Sequence, residues 1–430
     1  MKKYDAYKPS GVDWIGEIPE GWEIKKIKHN FEIYAGATPK TEKESFWDGD
    51  VVWITPADYK TDDKIVLQGE RNITIEGYNS CNTQLVPQGS LIFSKRAPIG
   101  TVALSGVELC TNQGCLSCVP KKVNSLYYYY VISICTEFFD MLGSGATFKE
   151  ISADAFANVK LPTPQISEQT AIANYLDAKC AKIDKVVAVQ RKRIELLKEL
   201  KQSIITHAVT KGLDKTAKMK DSGIDWIGKI PEGWKVKRLK LLAKIKTGTT
   251  PPTKVEKYYD SEDIKWYTPS DITDSLRLNE SERYISNIAK LENAGKLFPA
   301  KTIYFVGIGA TIGKVAVCDE EASCNQQVNA IIPNKGNNYL YLAYCLRCQK
   351  EIVYLMANVV TLPIMNQEKN GELKLPVPPF SEQTAIVEYL DKKCATIDKQ
   401  IAKVEKQIEL LKEYKQSVIT ECVTGKRKVC

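Results

Sequence analysis

SEQTAIANYLDAKCAKID, Ser167 to Asp184, returns as SEQTAIVEYLDKKCATID, Ser381 to Asp398, with 14 of 18 positions identical. From each serine onward glycine vanishes and apolar residues recur at alternating steps of four and three, the seam of a heptad helix. In the first copy the seam runs Leu176, Cys180, Ile183, Val187, Gln190, Ile194, Leu197, Lys201, Ile204 and Ala208. In the second it runs Leu390, Cys394, Ile397, Ile401, Val404, Ile408, Leu411, Lys415, Val418 and Cys422. The proline-rich LPTPQI and LPVPPF lead into each Ser-Glu start, and Gly212 and Gly425 suit the stops.

A helix of about 45 residues is about 67 Å long at 1.5 Å per residue, too long and one-sided for the inside of a small domain. It needs a partner, and the other copy is the expected one; the alternative is that each helix packs on its own globular unit. Only about ten residues, Gly212 to Asp221, join the end of the first helix to the start of the second copy, and they reach at most about 34 Å. A parallel pair would need the chain to return about 60 Å, so the expectation is an antiparallel coiled coil with a globular unit at each end and a pseudo-twofold axis between them. A protein of that shape measures a distance.

Outside the helices the duplication continues with a period of about 213 residues. SGVDWIGEIPEGWEIKKIK, Ser10 to Lys28, returns as SGIDWIGKIPEGWKVKRLK, Ser222 to Lys240, identical at 13 of 19 positions. Between the anchors the copies drift, yet short islands keep register: TPAD at Thr55 with TPSD at Thr268, IGTVA at Ile99 with IGKVA at Ile312, NQG at Asn112 with NQQ at Asn325. Short β-like runs (VVWITP, SLIFSK, TVALSG), turn signals and a helix-like stretch near Tyr127 to Leu142 give a mixed α+β class. The expected organisation is one globular domain over 1–160, a helix over 161–212, a second globular domain over 213–375 and a second helix over 376–430.

Lys and Arg outnumber Asp and Glu by 60 to 52, a net charge of +8. That permits an anionic partner without demanding one. The longest apolar stretch, around Tyr127 to Ile134, is far below a membrane span, and no leader-like start is present, so the expectation is a soluble cytoplasmic chain. Thirteen cysteines, an odd number, read as reduced thiols. With two histidines, neither in a triad-like setting, histidine catalysis has little material.

Apparent cofactor motifs fail when one copy is held against the other. FVGIGA, Phe305 to Ala310, looks like a glycine loop for S-adenosylmethionine, and TIGKV after it hints at a phosphate loop. The phosphate loop lacks its first glycine, Ile308 standing there, and Val315 replaces the hydroxyl that would hold magnesium. Copy one carries Ser94 and Arg96 where copy two has Gly307 and Gly309, so a turn is the better reading. VPPF at Val377 lacks the polar residue with which an amino methyltransferase grips its target amine. The pairs Cys115 with Cys118 and Cys345 with Cys348 fall at unrelated points of the two copies without nearby histidine, so no metal is expected. The chain reads as noncatalytic and without a cofactor of its own.

Basic and hydroxyl residues cluster beside aromatics in the loops, a mixture that suits phosphate and base-edge contact. The candidates for DNA contact are Thr38, Lys40, Lys43, Tyr59, Lys60, Lys95, Arg96, Thr147 and Lys149 in the first copy. In the second they are Thr250, Lys254, Asp271, Thr273 and Lys314. Each alone also reads as an ordinary solvated side chain.

The WIGxIPxGW openings, the G-x-TP segments at Gly36 to Pro39 and Gly248 to Pro251, and the LPxPxxSEQTAI lead-ins together resemble the DNA-specificity subunit of type I restriction-modification systems, over nearly the whole chain. The resemblance implies two target-recognition domains, each reading half of a bipartite site in double-stranded DNA, held apart by two helices that dock two methyltransferase subunits. It further implies that S-adenosylmethionine chemistry, and the ATP- and magnesium-dependent work of a restriction and translocation subunit, lie on those partners. ATFKEIS at Ala146 matches VTLPIMN at Val360 poorly, which leaves residue roles there open. Two rival readings remain: a fused methyltransferase-endonuclease with its own S-adenosylmethionine site, and a coiled-coil scaffold without DNA binding.

Overall fold

The computed structural model describes residues 3–60, 63–96, 98–145, 149–357 and 363–429. The chain divides into two compact units: Met1–Arg191 with Glu405–Cys430, and Lys192–Val404.

In unit 1 a five-stranded sheet runs in the order Phe31–Ala35, Cys115–Pro120, Leu91–Ser94, Val102–Ser105, Ile65–Val66, antiparallel except for the last pair. Side chains alternate between its faces as the pleat requires. Leu91 and Phe93 join the large core with Tyr127, Tyr128 and Phe139, while Ile92, Ala103 and Cys115 face a second core with Ile54 and Tyr59. A short parallel pair, Trp53–Ile54 with Cys110–Thr111, stands beside it. The helix-like stretch resolves into two helices, Ser125–Ser133 and Thr136–Leu142.

Unit 2 repeats this with a four-stranded antiparallel sheet, Ala243–Thr247, Val328–Pro333, Thr302–Val306, Val315–Cys318. Ile264–Tyr267 and Ala322–Cys324 form the matching parallel pair.

The long helices span Ile166–Lys211 and Phe380–Val423, and both end at a glycine with a left-handed backbone, Gly212 and Gly425, each at φ 74°. Their shared SEQ start has a physical reason. Glu168 accepts the indole N–H of Trp22 at 3.0 Å, and Glu382 accepts that of Trp234 at 3.0 Å. Trp22 and Trp234 are each 1 % exposed, so the WIGxIPxGW opening and the SEQTAI helix start are two halves of one buried contact. Gln169 and Gln383, also buried, donate to the carbonyls of Pro164 and Pro378 and accept from the backbone N–H of Asn124 and Asn338. Those bonds lock the proline-rich lead-ins to the helices.

Within unit 1 the start of the first helix runs antiparallel to the end of the second. Asp184 pairs with Lys415 at 2.7 Å, and Arg427, just past the second helix, donates to the Tyr175 hydroxyl at 3.2 Å. Unit 2 holds the remaining halves in the same sense: Lys201 pairs with Asp398 at 2.7 Å, and the helix end at Gly212 abuts Glu382 near the start of the other. Of the expected seam residues, Leu176, Ile183, Val187, Leu390, Ile397, Val404, Ile408 and Val418 are buried, and Ile194, Leu197, Ile204, Ile401 and Leu411 are half-buried.

The globular parts grip the helices in equivalent ways. The Tyr127 hydroxyl donates to the carbonyls of Pro162 and Val423, and that of Tyr341 to those of Pro376 and Val209, so each satisfies an end-turn carbonyl of the helix arriving from the other copy. Asp177 accepts from the Tyr130 hydroxyl at 3.1 Å and pairs with Lys64. Asp391 does the same with Tyr344 at 2.7 Å and Arg277 at 3.5 Å.

Candidate nucleic-acid interface

The G-x-TP, TPxD and NQ segments, which keep register in the sequence, meet at one place in each unit. In unit 1, Gly36 passes so close to the carbonyls of Thr111 and Asn112 that a Cβ there would collide with both. Ala37 N–H donates to Thr111 O at 2.9 Å, and the Trp53 indole donates to Ala37 O at 3.0 Å. Asn112 N–H donates to Ile54 O, and its side chain accepts from Gly114 N–H at 2.8 Å. The TPAD turn is braced by Asp58, which accepts from the N–H and hydroxyl of Thr55 with one oxygen and from Glu70 N–H with the other.

Unit 2 builds the same frame. A Cβ on Gly248 would collide with the carbonyls of Cys324 and Asn325. Thr249 N–H donates to Cys324 O at 2.8 Å and the Trp266 indole to Thr249 O at 3.1 Å. Asn325 N–H donates to Tyr267 O, and its side chain accepts from Gln327 N–H. Asp271 accepts from Thr268 and from Glu282 N–H as Asp58 does in unit 1.

What the frames carry differs. Beside the unit 1 frame, the Arg71 guanidinium lies 4.5 Å from the Trp47 ring and pairs with Asp48, and Trp47 meets Trp53 edge-on at 5.2 Å. Lys43 pairs with Glu76 at 2.5 Å, holding that carboxyl below its usual range, and lies over the Phe46 ring. Beside the unit 2 frame is a cleft of about 890 Å³ lined by Thr250, Glu256, Tyr259, Trp266, Arg283 and Asn325. Burial raises the pKa of Tyr259 in that cleft, and Lys257, next in the chain to the lining Glu256, pairs with Glu292 and lowers its pKa.

The sequence-predicted contact residues divide three ways. Lys40, Lys60, Lys254 and Lys314 have no carboxylate partner among the described residues, and the first three are exposed, as is Thr273. Thr38 and Thr250 sit at equivalent points of the two frames. Two expectations need correction. Tyr59 is 3 % exposed, its hydroxyl 3.7 Å from the Cys115 sulfur in the core behind the sheet, so it cannot face a ligand. Asp271 spends both carboxylate oxygens on its turn. Lys43, Lys95, Arg96 and Lys149 are exposed or half-buried but already neutralised: Lys95 and Arg96 both pair with Glu150, and Lys149 pairs with Asp140 at 2.6 Å. Thr147 lies outside the described residues.

Cys115 and Cys118 point to opposite faces of their strand, into different cores, and so cannot share a ligand. Burial pushes the Cys115 thiol up to about 12. Among the described residues no group of three or more His, Cys, Asp and Glu could hold a metal ion, and no helix is long and apolar enough to cross a membrane. Sequence reasoning missed Gln113 and Gln326. Both are exposed on these frames, each accepting a hydrogen bond from Thr38 or Thr250. The NQ island in register was the signal that could have found them.

The type I restriction modification DNA specificity domain matches this chain twice, over residues 19–198 and 231–410. The chain belongs to that family. A specificity-domain protein from Methanocaldococcus jannaschii, the type I restriction enzyme MjaIX specificity subunit, is 29 % identical over 429 residues, covering 96 % of this chain and 95 % of its own. The MjaVIII specificity subunit of the same organism is 23 % identical over 96 % of this chain and 94 % of the relative. Among solved structures, a chain from a study of type I R-M complex assembly and conformational transition superposes with a TM-score of 0.72 at 14 % identity, covering 94 % of this chain and 98 % of that one. The HsdS subunit from Thermoanaerobacter tengcongensis superposes at 0.50 and 16 % identity, covering 95 % and 98 %. The likeness to these two shows the specificity-subunit fold, and each match to the family profile takes in one frame and most of one long helix.

Proposed function

We propose that this chain is the noncatalytic sequence-recognition subunit of a type I restriction-modification complex, reading a bipartite, asymmetric site in double-stranded DNA. The observation that carries this is the duplicated frame: one bonding scheme built twice, with unlike loops mounted on it. A common frame sets the same approach to a duplex, while unlike loops present different donor and acceptor patterns to the base edges. Lys40, Lys60 and Lys254 are exposed cations for phosphates, and Lys314 is a half-buried one; their contribution weakens as salt rises. The repeated anchors and long helices supply equal surfaces to two methyltransferase subunits, which connect to the restriction and translocation subunits. S-adenosylmethionine, ATP and magnesium belong on those partners.

The test exchanges residues 29–160 for the matching segment of a relative, expresses the full chain with its methyltransferase partner, and maps methylated bases across the host genome. The expected result is a bipartite motif in which one half changes and the other stays. Change in both halves overturns the modular reading, and absence of any bipartite motif with the unaltered chain overturns DNA recognition.

A further inference from the structure

Two side chains stand apart from the divergence around them. Gln113 and Gln326 occupy the same place on the two frames, between the G-x-T-P segment and the TPxD turn, and both are exposed. The buried glutamines Gln169 and Gln383 bond through both the oxygen and the nitrogen of their amides. Gln113 and Gln326 have instead one side-chain partner each among the described residues, the hydroxyl of Thr38 or of Thr250, which donates to the amide oxygen. That bond orients the carboxamide and restricts its rotamers before any ligand arrives, while one lone pair on oxygen and both amide protons stay open.

A carboxamide so held offers an acceptor and a donor side by side, the complement of the N6 donor and N7 acceptor that adenine shows in the major groove. Guanine shows two acceptors there and fits only the donor. The backbone beneath is rigid on both sides: Trp53 and Trp266 clamp the segment carrying the threonine, and Asn112 and Asn325 close the turn carrying the glutamine. On the reading of the chain as a DNA-recognition subunit, we propose that Gln113 and Gln326 are specificity-determining residues that each read an adenine at the equivalent position of their half-site. The two half-sites then share one base, fixed by the frame, and differ at positions read by the unlike loops carrying Trp47 and Arg71 in unit 1 and Tyr259, Arg283 and Tyr284 in unit 2.

The experiment uses the full chain in complex with its methyltransferase partner. Methylated-base mapping first defines the wild-type motif; binding is then measured by competition against duplexes substituted at each motif position, for wild type, Gln113→Ala, Gln326→Ala and the bond-breaking Thr38→Val. In wild type, replacing the shared adenine in either half should weaken binding roughly tenfold or more. Gln113→Ala should become indifferent to that replacement in one half only, Gln326→Ala in the other only, and Thr38→Val should show a smaller loss on the same side as Gln113→Ala. Unchanged discrimination in both glutamine variants overturns the inference, as does a uniform loss across all duplexes, which marks a phosphate or folding role. Either outcome leaves the DNA-recognition reading intact if the wild-type motif is bipartite. A wild type without such a motif sinks the reading and the inference with it.

Discussion

The two recognition frames differ from each other far less than the loops they hold. In both, a glycine slides under two carbonyls, a tryptophan indole clamps the next residue's oxygen, an aspartate braces the TPxD turn, and a threonine holds an exposed glutamine. A few residues away, Arg71 stacks on Trp47 in unit 1, whereas Arg283 and Tyr259 line an open cleft in unit 2. Even so, the unlike loop aromatics also reach backbone: the Trp47 indole donates to Lys40 O in unit 1 and the Tyr259 hydroxyl to Pro251 O in unit 2. A bond to a buried backbone group costs about 1–3 kcal/mol to break without replacement, and an exposed loop side chain costs little to exchange, so the frame resists change and the loops do not.

The sharpest way to break this equivalence is at the buried tryptophans. Trp22→Ala and Trp234→Ala should each cost about 3–5 kcal/mol, since each empties a core site and removes an indole donor from Glu168 or Glu382. Hydrogen exchange on the full chain should show lost protection in the unit carrying the substitution; equal loss in both units from one variant would contradict their independence as compact bodies. Next come the frame glycines. Gly36→Ala and Gly248→Ala push a methyl group into two carbonyls and should cost about 1–3 kcal/mol, with thermal unfolding as the measurement. Gly36→Ala should also blunt recognition of one half-site and Gly248→Ala of the other.

A pH titration tests one difference in content between the units, at the strand positions of Cys110 and Cys115. Burial raises the thiols of Cys110 and Cys115 from 9.0 to about 12, whereas unit 2 has Ser323 and Val328 at the matching strand positions. A thiol with a raised folded pKa contributes stability that is complete below its unfolded value and is lost as pH climbs from about 9 toward 12. The double variant Cys110→Ser with Cys115→Val should flatten that alkaline loss in chemical denaturation; an unchanged slope would place its source elsewhere. The smallest effect belongs to the paired helices. Lys415→Met and Lys201→Met each remove a partly exposed ion pair and should cost about 0.2–1 kcal/mol apiece, less at high salt. Unequal costs would mark a real asymmetry between the two halves of the helix pair.

Much of this was legible beforehand where the signal was local or periodic. The seam from Leu176 to Ile204 and from Leu390 to Val418 follows from helical geometry, and the stops at Gly212 and Gly425 from the left-handed backbone that glycine accepts. Tyr59 misled because a tyrosine beside a lysine in a loop-like stretch looks exposed, yet the TPAD turn swings it behind the sheet onto Cys115. Lys95 and Arg96 misled because Glu150, which neutralises both, lies more than fifty residues away in the chain.

By itself the sequence determined that there are two copies of one design, that each ends in a heptad helix, and that short frame segments keep register while the loops between them drift. Helical period, glycine conformation and repeat register are properties of neighbours along the chain. Only the tertiary structure decided which cations are spent on carboxylates and which stay free, and that the TPxD, G-x-TP and NQ islands converge to hold out one glutamine. It also decided that unit 1 includes residues 405–430, where Tyr127 reaches the carbonyl of Val423. Those outcomes depend on contacts between residues dozens to hundreds of positions apart, where long-range burial and hydrogen bonding override local pattern.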